Sequence, residues 1–221
     1  MFHVKQFALF LFLALPFFGY AQGTVVMEKK DFIISRKKDP GVEKFLSGFS
    51  ELEKLDPLEQ ETFYWINLLR KDPAAFSQNY LEPFVEQFPE LKDSYIKSLR
   101  KELRESPPLG MIAPSAIVQK EADRHAIDLA KRLKRISHES SNGRSFPERM
   151  ADAGIKRCAG ENVFEGEADA LQALLLLLID QGVPNLGHRK ALLNPSFNIM
   201  GVSAEPTSDT VHFIVQLFSC Q

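Results

Sequence analysis

Apolar positions recur with a helical period through the middle of the chain and with a two-residue period towards its end. The clearest helix start is Asp56, an N-cap followed by Pro57 at the first helical position and by Glu59 completing a capping box. Leu58, Thr62, Trp65, Ile66 and Leu69 then fall on one buried face, with Glu61 beside it, and Asp72-Pro73 ends this helix and opens a short one. A third helix is predicted over residues 91–104, charged on most sides and stopped at Pro107-Pro108. Over residues 114–133, Val118, Ala122, His125, Ala126, Leu129, Ala130 and Leu133 keep the 3.6-residue period, so this helix faces a core. The turn formers of residues 137–143 predict a polar loop that holds its side chains at the surface. Ser145 to Glu148 repeats the capping-box pattern, and the helix it starts ends near Gly154.

Further along, residues 157–164 read as a short strand and residues 168–179 as a strongly apolar helix. Its continuous apolar run over 173–179 is far shorter than the roughly 20 residues a bilayer requires, so it is a buried core helix. A turn over 182–185 leads to a short helix over 187–193, stopped at Asn194-Pro195. Strands over 198–205 and 210–219, joined by a hairpin at 206–209, complete the chain. Helices around a small, largely antiparallel sheet define an α+β protein, layered as an α-β-α sandwich, and no internal repeat is visible. Residues 22–55 mix charges with short apolar pieces and read as an extension or docking arm. Within it, Phe45, Phe49 and Leu52 suit one helix over 42–55 while Gly48 opposes it, and the pattern leaves this open.

The N-terminus sets the compartment. Lys5, the apolar run over 7–18 and the small residues Gly19 and Ala21 form a signal peptide over residues 1–21, with cleavage expected after Ala21 and no cysteine near the cut for a lipid anchor. The protein is therefore expected to be secreted or periplasmic, with no membrane span after signal removal. Loss of Lys5 moves the formal net charge from −2 to −3, and no basic stripe with interleaved aromatics is present, so nucleic acid is not an expected partner. The chain is 44% apolar, and the part left after signal removal still has enough apolar residues to bury a sizeable core. Two cysteines, Cys158 and Cys220, allow one bridge in an oxidising compartment, which would tie the strand before Glu161 to the last strand and contribute roughly 4 kcal/mol by chain entropy. Two buried free thiols are the other reading of the same count.

Four ionisable residues stand at element edges: His138 in the polar loop, Glu161 after Gly160, Asp180 at a helix end and His188 at the start of the next helix. Around them run Ala122-Asp123-Arg124-His125-Ala126-Ile127-Asp128-Leu129-Ala130, Ile136-Ser137-His138-Glu139-Ser140, Ala159-Gly160-Glu161-Asn162-Val163, Gly187-His188-Arg189-Lys190-Ala191-Leu192-Leu193-Asn194-Pro195 and Ile199-Met200-Gly201-Val202. Together and in this order, these segments resemble the CAP superfamily of cysteine-rich secretory, antigen 5 and pathogenesis-related proteins, in its bacterial SCP-like branch, over residues 56–221. The resemblance implies an α-β-α sandwich with a cleft carrying two histidines and two acids. His138, Glu161 and His188 match its loop, Gly-Glu-Asn and Gly-His motifs. The family's fourth acid follows a Trp by three positions, and here Leu177 and Asp180 stand in those places.

The same resemblance implies a divalent cation such as Zn²⁺ on His138 and His188, since two neutral imidazoles can hold the ion while carboxylates orient them. His125, on an Ala/Leu face, reads as structural, and Glu61, Asn67 and Asn162 as fold-holding hydrogen-bonders. Three functions remain open at this point. One is a recognition module for a small ligand, lipid, peptide or glycan. The others are a metal-dependent hydrolase with Glu161 as general base and a structural envelope component. No His-Glu-x-x-His, Gly-x-Ser-x-Gly or phosphate-loop motif supports hydrolysis.

Overall fold

The computed structural model describes residues 32–155 and 158–220. The signal segment, its cleavage point and the expected strand start at Arg157 lie outside the described residues. A four-stranded sheet in the order β1-β3-β4-β2 forms the middle layer. β2 (Ala159–Glu167) and β3 (Ile199–Pro206) pair antiparallel with β4 (Val211–Ser219), and the two-residue β1 (Ala113–Pro114), absent from the sequence reading, pairs parallel with β3.

Alternation along β4 sorts its side chains between two cores. Phe213, Val215 and Leu217 join Val118, Ala122, Ala126, Phe146 and Met150 of α6 (Ala116–Asp128) and α7 (Phe146–Asp152). Ile214 and Phe218 join the larger cluster of α2 (Pro57–Lys71), α5 (Asp93–Glu105) and α8 (Ala170–Ile179). Both sheet faces are thus covered, and the protein is an α-β-α sandwich. Among the described residues no helix is long and apolar enough to cross a membrane.

The local signals hold. Asp56 and Glu59 form the reciprocal capping box of α2, and Ser145 and Glu148 form that of α7. Glu59 does more: its Oε1 accepts a hydrogen bond from Ala204 N at 3.0 Å, while Gln119 exchanges two bonds with the backbone of Val202. Side chains thereby serve the edge of β3 beyond the short β1. Gly201 permits this close approach, because a Cβ there would lie 2.4 Å from Gln119 N.

Other segments fill in what the sequence pattern left open. Residues 40–55 break into α1 (Pro40–Leu46) and a 3₁₀ turn, Ser50–Lys54, with Gly48 between them. This part of the chain does not stand away from the fold: Val42 is fully buried, and Phe32 packs edge-on against Phe84 with ring centroids 4.9 Å apart. The short helix α3 (Pro73–Phe76) runs on through a π-helical turn, Ser77–Leu81, into α4 (Glu82–Gln87), which the sequence reading left unassigned. Cys158 and Cys220 form a disulfide with Cα atoms 5.7 Å apart, as the pairing of Ala159 with Ser219 requires.

Candidate functional site: two carboxylate–imidazole pairs

The first pair is built from the end of α6. After Asp128 the helix widens into a π-turn, Leu129–Leu133, and Lys134 at φ 53° reverses the chain. Asp128 then binds the returning loop through the N–H and Oγ–H of Ser141, at 2.6 and 2.5 Å. His125 holds its other end, with Nε2 2.8 Å from the carbonyl of Ser137. These anchors pull Ser137 and His138 into the protein, so the expectation of a surface-facing loop fails at its first two residues. A loop rich in turn formers follows the anchors its polar groups find, and here they point inwards.

Glu161 is buried on β2, on the α6/α7 side of the sheet. Its Oε1 accepts a hydrogen bond from His138 Nδ1 at 2.7 Å, and its Oε2 accepts one from Arg149 Nη2 at 2.6 Å. Arg149 also lies 3.5 Å from Glu121 Oε1, and His125 Nε2 lies 3.8 Å from Glu161 Oε1. Burial works to raise the Glu161 carboxyl's pKa, but the Arg149 charge and the His138 hydrogen bond outweigh it and hold the group below the ordinary carboxylate range. Arg149 had no sequence signal beyond its place in a well-capped helix.

The second pair lies on the other side of the sheet. Asp180 ends α8 in the left-handed conformation, φ 58°, which Asp tolerates better than most residues. Its Oδ2 accepts the backbone N–H groups of His188 and Arg189 at 3.0 and 3.2 Å, capping α9 (Gly187–Leu192). Its Oδ1 accepts from His188 Nδ1 at 2.7 Å. Leu186, immediately before α9, is also left-handed at φ 51°, so backbone strain brackets the His188 segment. Asn162 Nδ2 reaches the His188 carbonyl at 3.5 Å and Gln216 Oε1 at 3.1 Å, linking this pair to β2 one residue after Glu161. The structure therefore brings Glu161 to His138 and Asp180 to His188, and the pairs flank the edge strand β2, one from each layer.

Each Nδ1 donates to a carboxylate, which leaves Nε2 of each ring as the nitrogen with a lone pair. His188 Nε2 is buried without a hydrogen-bond partner. A neutral Nε2 of this kind is the donor chemistry a divalent cation would use. Among the described residues no group of three or more His, Cys, Asp or Glu is arranged to hold a metal.

The expected hydrogen-bonders take their places elsewhere. Asn67 Nδ2 donates to the carbonyls of Phe63 and Ile112, and its Oδ1 accepts from Ile112 N, whereas Glu61 pairs with Lys38 at the surface. His125 is held below the ordinary imidazole range, first by burial and then by the nearby Arg149 and His138 against the opposing pull of Glu161. Below about pH 6.5 the unfolded chain takes up a proton that the folded protein refuses, so stability should fall as pH drops from there towards the depressed value. His125→Gln, which keeps a side-chain N–H for Ser137, should flatten that part of the curve of melting temperature against pH. An equal slope in both proteins would show that another group carries it.

An α-β-α sandwich whose two buried histidines are each set by a buried acid defines the class of this domain. The chain belongs to the CAP, or Cysteine-rich secretory protein, family, whose profile matches residues 98–220, more than half of it. No curated protein matches the chain. Nine solved chains do. An extracellular SCP-domain protein from Bacillus anthracis is 24% identical, with a TM-score of 0.42, and the match covers 59% of this chain and 41% of that one. An outer surface protein from Borrelia burgdorferi is 22% identical over 57% of this chain and 89% of its own, with a TM-score of 0.43. Venom allergen-like protein 4 of Schistosoma mansoni is 13% identical over 75% and 90%, with a TM-score of 0.45.

Proposed function

We propose that the protein is an exported recognition module that binds a small ligand, lipid, peptide or glycan beside His138, Glu161, Asp180 and His188, with a divalent cation such as Zn²⁺ on the two imidazoles. The observation that carries this reading is that both rings are fixed through Nδ1 by buried carboxylates while His188 Nε2 has no protein partner. A bound cation supplies a positive, exchangeable coordination point for a ligand oxygen. The carboxylates keep each ring in the tautomer that offers Nε2.

Binding is favoured over metal-dependent hydrolysis by the state of Glu161. Both of its oxygens are already engaged, by His138 and Arg149, and its side chain is fully buried, so it is poorly placed to take a proton from an attacking water. A structural envelope role has no comparable observation in its favour.

Titration calorimetry with ZnCl₂ on the exported protein tests the reading. His138→Ala and His188→Ala should each weaken binding by about tenfold or more, while Glu61→Ala, at a surface pair with Lys38, should leave it nearly intact. The ion competes with protons for the ring nitrogens, so affinity should also fall between about pH 7.5 and about pH 5.5. Equal losses from all three substitutions, or no binding by the unaltered protein, would refute the metal assignment.

A further inference from the structure

The Lys38 ammonium, on the stretch that leads into α1, lies against an aromatic and acidic face of α2. Its Nζ is 3.9 Å from the Tyr64 ring centroid and 5.3 Å from that of Trp65, both within cation–π reach, and 2.5 Å from Glu61 Oε1. The two rings meet edge to face with centroids 4.9 Å apart, so a single cation is held by both. The Lys38 and Glu61 side chains are 33% and 40% exposed, which leaves the ammonium open to exchange. Lys38 also lines two recesses, of about 550 and 500 Å³, one shared with Tyr80 and the other with Glu61. A second ammonium can therefore approach the same position from either side of the lysine. None of His138, Glu161, Asp180 and His188 lines either recess.

Residues 32–39 belong to no helix or strand, and side chains hold them to the body. Phe32 packs on Phe84, Gln87 brackets the backbone of Ile33 with bonds of 3.1 and 3.0 Å, and Arg36 pairs with Asp169. Partly exposed ion pairs contribute little, so the Lys38 and Arg36 contacts are ones a competing ligand can replace. Asp39 is held independently: it caps α1, pairs with Lys71 at 2.6 Å and gives its N–H to the Tyr64 hydroxyl at 2.6 Å. The Tyr64 ring thus keeps its anchor if residues 32–38 lift away.

Charge narrows the ligand. The strap carries Arg36, Lys37 and Lys38, whereas the wall beneath it carries Asp56, Glu61 and Asp169, with His212 as its other ionisable group. Without the strap's cations this wall is acidic and attracts a cation. A primary ammonium keeps an N–H for the Glu61 carboxylate, which a quaternary one cannot do.

We propose that Glu61, Tyr64 and Trp65 form a second binding site, for a primary alkylammonium group, which Lys38 of the same chain occupies here, so that residues 32–38 act as a displaceable strap over it.

Titration of the full exported chain with n-butylammonium chloride at constant ionic strength tests this, because the probe has the four carbons and head group of a lysine side chain. Trp65 is the only tryptophan and reports binding by its fluorescence. Lys38→Ala should bind with a Kd of about 1 mM or tighter. The unaltered protein should also saturate, about tenfold more weakly, since the tethered ammonium competes at an effective concentration of roughly millimolar order. Arg36→Ala, at an exposed position, loosens the strap and should tighten binding several-fold with Lys38 in place, a second reading if Lys38→Ala does not fold. Glu61→Gln added to Lys38→Ala should weaken binding several-fold. 1-Butanol, which lacks the charge, should bind Lys38→Ala about tenfold more weakly than the ammonium or worse. Equal binding of butanol would mean that truncation had only opened an apolar hole, and equal affinities of Lys38→Ala and the unaltered protein would mean that the lysine blocks nothing. Either result, or a Trp65 signal that no variant changes on titration, would overturn the inference. The zinc titration reads His138 and His188 instead, so either proposal can fail alone.

Discussion

Replacing Arg149 with methionine is expected to destabilise the protein by about 3–5 kcal/mol, the usual cost of stripping a buried charge of its partner. Glu161 would be left with His138 Nδ1 at 2.7 Å and the more distant His125 ring, and with no cation in contact. For a chain of this length the loss corresponds to a fall in melting temperature of about 10 °C. The pH dependence has a definite sign. Glu161 is held below the ordinary carboxylate range, so its contribution is fully present above the unfolded value of about 4.3 and is lost as pH falls through the folded value. Without Arg149 the folded carboxyl titrates higher, and acid unfolding should begin at higher pH. Adding Glu161→Gln to Arg149→Met should recover part of the loss, because the uncompensated charge is then gone. Melting curves from about pH 3 to about pH 7 measure all three proteins. An unchanged acid limb in Arg149→Met, or no recovery in the double variant, would show that Arg149 does not hold Glu161.

Arg70→Met should cost about as much or more, roughly 5 kcal/mol, for a different reason. The Arg70 guanidinium is fully buried and donates to four carbonyls: Gly110 at 2.8 Å, Leu192 at 3.0 Å, Asn194 at 2.9 Å and Phe197 at 3.0 Å. Burial lowers its pKa to about 10, which leaves it charged at neutral pH. It therefore ties α2 to the chain leaving α9 and to the crossing before β1. Methionine would fill much of the volume but leave those carbonyls without a donor, and those of Leu192 and Phe197 lie in buried surroundings. A planar fork spans such spread acceptors and an ammonium cannot, so Arg70→Lys should recover less than half of the loss. Denaturant unfolding with an unchanged slope measures the difference. A loss below about 1 kcal/mol would mean that water replaces the guanidinium there.

The parts of the fold legible in the sequence were those set by residues close to one another along the chain. Asp56 and Glu59, Ser145 and Glu148, and the hairpin turn before β4 each act within a few residues, and so do the helical periods of α2 and α6. The motif segments likewise made His138, Glu161, Asp180 and His188 identifiable as residues. Their pairing was not legible. Glu161 turns to His138 because β2 directs it to the α6/α7 side of the sheet, while its neighbour Asn162 faces the other side and meets the His188 carbonyl.

Arg149 and His125 could not be connected to Glu161 from the chain, because the three lie on different elements and meet only once α6, α7 and β2 are stacked. The inward turn of His138 depends on Asp128 and His125 catching a loop that is polar by composition. The sequence alone thus determined where elements begin, which faces are apolar and which groups can ionise, since these depend on spacing and side-chain chemistry. Only the tertiary structure decided which acid meets which imidazole and which cations remain buried, because a hydrogen bond requires atoms within about 3 Å and that proximity is created by packing between segments distant in the chain.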